Sequence, residues 1–463
     1  MAGEEKTAPE FSLPPWLLTM ARPLAMEFIG TFFLCLTIAM NADSSLAPLG
    51  VGGVLIAMVF MGGKVSGAHY NPAVTLAVAL CGKIDWVKAG FYVIAQVAAS
   101  FVAGIVGAIV AGSLGRPAGY PTVSATSGPF SALLCEFLFT FILAKVVLNV
   151  AGHSKRENNS FFGLAIGLTV FAGAVAVGGV SGAALNPAVG TGLPMVQGDF
   201  SYFWIYWIGP GLGGATAALL FWATNGDEFA LEYYMPAMAT KLVKDISPYL
   251  MEGIGTFFLT MVASMSSSQP LGPLAVGAIL IAMVFMSGHV SGSHFNPAVT
   301  AAVYSNKAME LKTASFYVLS QLIGALLAGM VSYFLAGYDM GYPTVSSIPA
   351  AILMEMLFTF ALAITVLHTG KPSDEGTENS YYGLAIGMTV FAGITACGDI
   401  SGGAFNPALG TALPLFRGEF IYLWIYWLAP LVGGVAAAGV YAITKPDEVY
   451  IDLEAERKSK GGE

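Results

Sequence analysis

Twelve stretches of about twenty apolar residues divide this chain of 463 residues. A helix needs about twenty such residues to cross a bilayer, so each stretch predicts a membrane-spanning helix. The stretches lie at 23–41, 49–66, 87–111, 130–151, 160–178, 200–223, 247–266, 272–289, 313–336, 349–369, 380–397 and 420–443. Charged residues make up only 10% of the chain, whereas soluble domains carry about 25%. A multi-pass, all-α protein of the lipid bilayer is therefore predicted; a soluble enzyme and, given the net charge of −9, a nucleic-acid-binding protein are excluded.

The chain consists of two similar halves. HYNPAVT at 69–75 returns as HFNPAVT at 294–300, and ALNPAVGTGLP at 184–194 returns as AFNPALGTALP at 404–414. Such internal repeats define the units of a fold before any other assignment. We predict a first unit over 1–223, a cytoplasmic connector over 224–245, a second unit over 246–443 and a polar cytoplasmic tail over 444–463.

Each half contains a finer repeat. A Glu that opens the pattern Glu-x-x-x-Thr-Phe is followed 44 to 51 residues later by Asn-Pro-Ala. These pairs are Glu27 with Asn71, Glu136 with Asn186, Glu252 with Asn296, and Glu355 with Asn406. Each quarter then holds three spanning helices, an odd number, so successive quarters must be inverted in the membrane. Inverted repeats of this kind are typical of transport paths.

The four Asn-Pro-Ala motifs predict the starts of short helices. Asn is a preferred N-cap, and Pro suits the first helical turn, where its missing N–H costs nothing. The apolar runs that follow are too short to span a bilayer, which predicts four re-entrant half-helices. Two half-helices that meet would point N-termini of about +0.5 charge each at one spot, repelling cations while Asn amides donate to neutral solutes. The motif residues are Asn71, Pro72, Ala73, Asn186, Pro187, Ala188, Asn296, Pro297, Ala298, Asn406, Pro407 and Ala408.

Several ionisable side chains lie inside the predicted membrane region. A buried carboxylate there needs a partner, and we expect each Glu to accept backbone N–H groups of the loop before a half-helix; a proton relay is the alternative. His69 and His294 precede their Asn by two residues and are expected to brace or gate the same loops rather than to bind a metal, since neither half offers clustered ligands. The four carboxylates are Glu27, Glu136, Glu252 and Glu355.

Basic residues indicate the orientation of the chain. Lys and Arg accumulate on the cytoplasmic side of membrane proteins, and their distribution here predicts that both termini are cytoplasmic. In that orientation Arg116 and Arg417 lie outside. The cytoplasmic basic residues are Arg22, Lys64, Lys83, Lys88, Lys155, Arg156, Lys241, Lys244, Lys307, Lys312 and Lys371.

The paired motifs resemble a known family. SGAHYNPAVT with SGAALNPAVG, and SGSHFNPAVT with SGGAFNPALG, are similar to the paired signatures of aquaporins, the major intrinsic protein family. The resemblance covers about 16–223 and 246–443 and implies a tandem aquaporin-like fold, with twelve spanning helices, four half-helices and one pore per half. Aquaporins form tetramers, so the resemblance also implies a homodimer of this chain, a pseudo-tetramer with four pores.

The resemblance breaks at the outer filter. In the family an Arg follows the second Asn-Pro-Ala of each pore, and the second helix supplies an aromatic residue and the fifth often a His. Carried onto this chain, the filter positions are Val51, Ala174, Ala183 and Val189 in the first pore, and Val276, Ile394, Gly403 and Leu409 in the second. Solutes would therefore depend on backbone carbonyls for hydrogen bonds. We expect the first pore to be wider than a water-strict filter, and the second, with Ile394 and Leu409, to be narrower.

Neighbouring positions give mixed indications about the solute. The Asp that glycerol facilitators carry after the filter Arg is replaced by Gly190 and Gly410. By contrast, the sequences at 206–207 and 426–427, both Tyr-Trp, resemble those of water-type members.

These features predict a passive transmembrane channel for water, with glycerol, urea, ammonia and hydrogen peroxide as further candidate solutes. Two alternatives stay open: a poorly conducting structural or interaction protein, favoured by the apolar filters, and an ion-permeable channel, favoured by the missing filter Arg. No catalytic residues, metal ligands or cofactor are expected, since the sequence has no catalytic triad, ligand cluster or phosphate-binding loop.

Overall fold

The computed structural model describes residues 15–41, 44–154, 159–228, 237–370 and 379–445. In these ranges the chain forms sixteen α-helices, of which twelve are long and apolar enough to cross a membrane. The long helices are α1 (Pro15–Met40), α2 (Ala47–Ser66), α4 (Trp86–Ser113), α5 (Pro129–Val150), α6 (Phe162–Ser181), α8 (Phe203–Thr224), α9 (Ala237–Met265), α10 (Gly272–Ser291), α12 (Leu311–Ala336), α13 (Ile348–Thr369), α14 (Tyr382–Ser401) and α16 (Leu423–Thr444). The short helices are α3 (Pro72–Leu80), α7 (Val189–Val196), α11 (Pro297–Ser305) and α15 (Pro407–Arg417). The predicted set of twelve spanning helices and four half-helices is confirmed.

The half-helices begin as their sequence chemistry predicts, with one difference. α3, α11 and α15 each start at the Pro of the motif, and the preceding Asn is the N-cap. α7 starts two residues later, at Val189, because the N–H of Thr191 donates to the carbonyl of Ala188 only three residues back, at 3.1 Å. A hydrogen bond to the third residue back closes a turn, whereas each bond of an α-helix reaches the fourth residue back.

Glycine permits close crossing of helices inside each half. A Cβ added at Gly167 of α6 would lie 2.6 Å from the carbonyl oxygen of Gly52 in α2, and one at Gly387 of α14 would lie 2.5 Å from that of Gly277 in α10. Neither position has room for a side chain. Small residues of this kind let helix backbones approach each other in lipid, where packing replaces the hydrophobic effect as the cause of association. The same crossing occurs in both halves because their sequences place Gly at equivalent positions.

The two halves pack against each other through α10 of the second half and α5 and α6 of the first. The ring of Phe161, just before α6, stacks on that of Phe285 in α10, with centroids 4.2 Å apart. Phe258 of α9 contacts Phe139 and Phe141 of α5 in the same junction. As a result 67% of the residues in an apolar 18-residue stretch of α6 are buried, and 78% in that of α10. In the equivalent helices α14 and α2 the buried share is 33% each.

The segment between the halves is partly helical. A short 3-10 helix covers Gly226–Glu228, and α9 already begins at Ala237. The predicted connector, 224–245, therefore overlaps the first turns of α9. Residues 229–236 within it, most of the predicted tail, and the basic residues Lys155, Arg156 and Lys371 lie outside the described residues. The predicted unit boundaries stay predictions.

Candidate pore sites

The two half-helices of the first half meet at their N-termini. The side-chain amide of Asn71 donates to the carbonyl of Leu185 at 2.7 Å, and that of Asn186 donates to the carbonyl of Tyr70 at 2.8 Å. Each Asn therefore binds the backbone of the loop that carries the other. The oxygen of each Asn side chain accepts from a backbone N–H two residues on, at 2.9 Å.

The second half repeats this arrangement. Asn296 donates to the carbonyl of Phe405 at 2.7 Å, and Asn406 donates to the carbonyl of Phe295 at 2.8 Å. All four Asn side chains are buried. A primary amide has two N–H groups, so each Asn keeps a second donor beside the one that joins the loops. Two helix N-termini and two amide groups thus converge at one place in each half.

The loops that carry these Asn residues have a strained backbone. Ala68, Tyr70, Ala183 and Leu185 have φ between 46° and 52°, in the left-handed region that side chains other than Gly disfavour. Such conformations persist only where the surroundings enforce them. Carboxylates of α1, α5, α9 and α13 accept hydrogen bonds from these loops.

Glu27 of α1 is bound by the first of these loops. It accepts from the backbone N–H groups of His69 at 3.0 Å and Tyr70 at 2.7 Å, from the hydroxyl of Ser66 at 2.6 Å, and from the amide of Gln96 at 2.8 Å. Glu27 is completely buried. These bonds join Glu27 to the end of α2, to the loop before α3 and to α4.

The other three carboxylates have equivalent partners. Glu136 accepts from the backbone N–H groups of Ala184 and Leu185 and from the hydroxyl of Ser181. Glu252 accepts from His294, Phe295, Ser291 and Gln321, and Glu355 accepts from Ala404, Phe405 and Ser401. Each of the four thus receives two backbone N–H groups of one loop.

The two His residues lie against the same loops. The Nδ1 atom of His69 is 3.1 Å from the hydroxyl of Thr75, and that of His294 is 3.1 Å from the hydroxyl of Thr300. Neither His belongs to a group of three or more metal-ligating side chains in the part of the chain that the structure describes.

Sequence reasoning missed two Gln residues of this network. Gln96 of α4 donates both to Glu27 and to the hydroxyl of Thr75, and Gln321 of α12 does the same for Glu252 and Thr300. Both Gln side chains are fully buried. Each Gln is a polar residue in the middle of an apolar stretch, at the same place in each half, and this pattern could have indicated them.

Seven of the eight predicted filter residues line a cavity beside an Asn pair. Val51, Ala183 and Val189 line a cavity of about 30 Å³ with Asn71 and Asn186. Ala174 is the exception, and the residue of α6 that lines this cavity one turn earlier is Val170. The four residues of the second half, Val276, Ile394, Gly403 and Leu409, line a cavity of about 300 Å³ with Asn296 and Asn406.

The two cavities differ in volume, and the predicted order of the filter widths stays a prediction. The second cavity is about 300 Å³ and the first about 30 Å³, although the second has the larger filter side chains, Ile394 and Leu409. A residue outside the filter positions accounts for part of the difference. Ile38 of α1 lines the first cavity, whereas Ala263 at the equivalent place in α9 lines the second.

The Tyr-Trp pairs hold the second half-helix of each pore in place. Tyr206 donates to the carbonyl of Ser181 at 2.8 Å, and Trp207 donates to the hydroxyl of Thr191 at 2.9 Å; Tyr426 and Trp427 make the equivalent bonds. A Cβ added at Gly190 would lie 2.3 Å from the Cβ of Tyr206. This contact explains why Gly stands where glycerol facilitators carry Asp.

Comparison with known proteins agrees with this geometry. The family model for the major intrinsic proteins matches the chain twice, at residues 43–221 and 243–441. Nodulin-26 of Glycine max is 33% identical over 208 residues, which are 42% of this chain and 76% of that protein. A protein named probable aquaporin TIP2-2, of Arabidopsis thaliana, is 34% identical over 238 residues, 50% of this chain and 92% of its own length.

A solved structure, the aquaglyceroporin from Plasmodium falciparum, aligns with 44% of this chain and 95% of its own, with 24% identity and a TM-score of 0.40. The two matches of the family model together cover most of the chain, one in each half. The chain therefore belongs to the major intrinsic protein family, whose members are membrane channels and not enzymes, and it carries two aquaporin units in tandem.

Proposed function

We propose that the chain is a passive transmembrane channel for water and small uncharged solutes, with one pore in each half. The observation that carries this proposal is the pair of Asn residues beside each cavity, Asn71 with Asn186 and Asn296 with Asn406. Each pair offers amide donors in a cavity whose walls are otherwise mainly apolar. Pore diameter and lining hydrogen-bond groups of this kind decide selectivity in channels.

Cation exclusion would follow from the half-helices. The N-termini of α3 and α7 converge in the first half, and those of α11 and α15 in the second, each equivalent to about +0.5 charge. A cation at this point would lose its water and meet positive potential, whereas a neutral solute would lose only hydrogen bonds that the amides replace. The filter Arg of the family would add to this barrier and is not required to create it.

The four Glu residues and the two His residues would act as loop braces in this channel. Their bonds keep the left-handed loop residues in place, so that the Asn amides and the loop carbonyls face the solute path. A proton relay is less well supported, because both oxygens of each carboxylate already accept hydrogen bonds from protein groups.

Flux and current measured on one preparation test the proposal. The purified chain in proteoliposomes is expected to raise osmotic water permeability above that of empty vesicles, and planar bilayers with the same protein are expected to show no ionic current. Water permeability no higher than in empty vesicles would favour the structural protein instead. A current that accompanies the flux would favour the ion-permeable channel.

We further propose that both termini are cytoplasmic. Support comes from the Lys and Arg residues between the spanning helices, most of which fall on the side of the termini. Protease protection of tags at the two ends, in sealed vesicles of known orientation, would test this assignment.

A homodimer is the assembly that the packing favours. α10 covers α6 at the junction of the halves. In the equivalent helices, α2 and α14, only 33% of the residues in the apolar 18-residue stretch are buried. The same contact made between two chains, α2 of one on α14 of the other, would close a pseudo-tetramer of four pores by a two-fold axis.

A further inference from the structure

A third cavity, of about 420 Å³, lies where the two halves meet, on the spanning helices α5, α9 and α12. Leu138 and Phe141 of α5 form one side of it, and α9 and α12 of the second half form the rest. Among its lining residues only Tyr249 and Ser320 carry a polar atom in the side chain. None of the lining residues also lines a cavity beside an Asn pair, so this space is separate from both pores.

The third cavity opens toward the lipid. Ile246, Leu250, Ile323 and Leu327 line it, and each keeps between 39% and 49% of its surface exposed. Because these residues belong to helices that cross the membrane, their exposed surface faces hydrocarbon and not water. The proposed dimer contact uses α2 and α14, neither of which lines this cavity, so the opening stays accessible to lipid in the dimer as well.

Two glycines give the cavity its room. A Cβ added at Gly324 of α12 would lie 2.1 Å from the carbonyl oxygen of Gly253 in α9, so the two helices touch backbone to backbone. The equivalent residues of the first half are Ala99 in α4 and Phe28 in α1. The ring of Phe28 stacks on that of Phe32, with centroids 6.4 Å apart. At Gly253 the second half therefore lacks an aromatic ring that the first half carries.

The dimensions of the cavity fit a hydrocarbon chain and not a helix. Ile246 and Phe258 of its lining are twelve residues apart on α9, about 18 Å along the helix axis. The hydrocarbon of one leaflet is about 15 Å thick. A helix is about 10 Å across with its side chains, so a helical segment of this length would fill on the order of 1,400 Å³. An acyl chain is far narrower, and it supplies the contacts that the cavity walls would forfeit if the space were empty.

Charged residues at the nearby helix ends complement a phosphate group. The N-terminal ends of α9 and α12, on the proposed cytoplasmic side, carry three exposed Lys side chains and two exposed carboxyl groups, which leaves a net positive charge. Basic residues at this depth attract phosphate-bearing lipid headgroups, and Lys side chains are long enough to extend along the membrane surface. The five residues are Lys241, Lys244, Lys312, Asp245 and Glu310.

We propose that the third cavity binds a phospholipid of the cytoplasmic leaflet. One acyl chain lies between α5, α9 and α12, and the phosphate lies near the Lys side chains at the ends of α9 and α12. The acyl chain contacts Leu138 and Phe141 of the first half and Leu250 and Ile323 of the second at the same time. The lipid thus completes the packing between the two halves.

Photolabelling of the purified chain in detergent tests the site. The probe is a phosphatidylglycerol with a photoreactive group on one acyl chain, added at one molecule per protein chain, and the labelled peptides are identified by mass spectrometry. Label is expected to concentrate on residues 246–258 of α9 and 320–327 of α12. The equivalent segments of the first half, 21–33 and 95–102, are the matched control within the same chain and should carry much less. Equal labelling of the two halves would overturn the proposal.

Two variants that fill the cavity extend the test. Gly253→Phe installs the residue of the first half and is expected to lower the labelling of α9 and α12 to the level of α1 and α4. A Cβ at Gly253 would lie 3.3 Å from the carbonyl oxygen of Ser320, a close contact, so Ile323→Trp is the second variant and fills the cavity from a lipid-exposed position. Ile109→Trp, a change of a 66% exposed residue of α4 outside the cavity, is the control and should label as the wild type does. Wild-type labelling of both cavity variants, each eluting from a sizing column as the wild type does, would also contradict the site.

Discussion

Phe161 stacks on Phe285 across the junction of the two halves, with ring centroids 4.2 Å apart and planes 6° from parallel. The equivalent residues are Tyr381 and Phe60, whose side chains are 58% and 42% exposed. If two chains repeat the junction that each contains, Phe60 of one chain stacks on Tyr381 of the other. The exposed rings of Phe60 and Tyr381 therefore indicate where the proposed dimer interface lies.

Cross-linking tests this contact. Phe60→Cys combined with Tyr381→Cys is expected to give a covalent dimer when membranes are treated with a short thiol cross-linker, read as a doubled mass on a denaturing gel. The four native Cys residues are buried and free, so they should contribute little. Phe161→Cys with Phe285→Cys is the matched control, because those positions belong to one chain and their cross-link leaves the mass unchanged. A monomer mass for the first variant would contradict the dimer.

Removal of a brace should destabilise one half. Glu27→Ala leaves the N–H groups of His69 and Tyr70 without their acceptor, and each buried unsatisfied group costs about 1–3 kcal/mol. We expect a lower thermal unfolding temperature in detergent and a loss of water flux through the first pore. Gln96→Leu, which leaves those two backbone bonds in place, should have a smaller effect. Wild-type stability of Glu27→Ala would show that the loop does not depend on this carboxylate.

A pH dependence is expected from Glu228, which lies just beyond α8. Burial alone would raise the pKa of Glu228, but hydrogen bonds from Lys83 at 2.7 Å and from Ser154 outweigh it and hold the pKa below its usual 4.5. A carboxyl group whose pKa is lowered by folding stabilises the folded state above its unfolded pKa, and this contribution is lost as the pH falls.

The thermal stability of the wild type should therefore decrease as the pH is lowered from about 5 to about 3, and that of Glu228→Gln should decrease less. Unfolding temperatures across this range measure the difference. Glu419→Gln, a change of an exposed carboxyl group, is the control and should follow the wild type. Equal pH profiles for Glu228→Gln and the wild type would mean that the contact with Lys83 contributes nothing to stability.

The sequence predicted those features that depend on local chemistry. The N-cap and first-turn preferences of Asn and Pro belong to adjacent residues, so the starts of α3, α11 and α15 could be predicted at the right residue. α7 differed because the bond after its first helical one, from Thr191 to Ala188, spans only three residues. The two tandem units could also be predicted, because the repeat of the motifs is visible in the sequence without knowledge of any contact.

Features that depend on packing between distant segments were not predicted. Gln96 joins Glu27 to Thr75, three segments that sequence spacing does not bring together. The volumes of the two cavities do not follow from the side chains at the filter positions. The cavity walls also include Ile38 or Ala263 of the first helix in each half, which lies far from the motifs along the chain.

Osmotic water permeability of four proteins tests the central claim, one water-conducting pore in each half, most directly. The four are the wild type, Val51→Trp, Val276→Trp and the double variant, each reconstituted at equal density and each eluting from a sizing column as the wild type does. The claim predicts that each single variant keeps part of the wild-type permeability and that the double variant falls to the value of empty vesicles. A folded double variant that conducts water as fast as the wild type would contradict it.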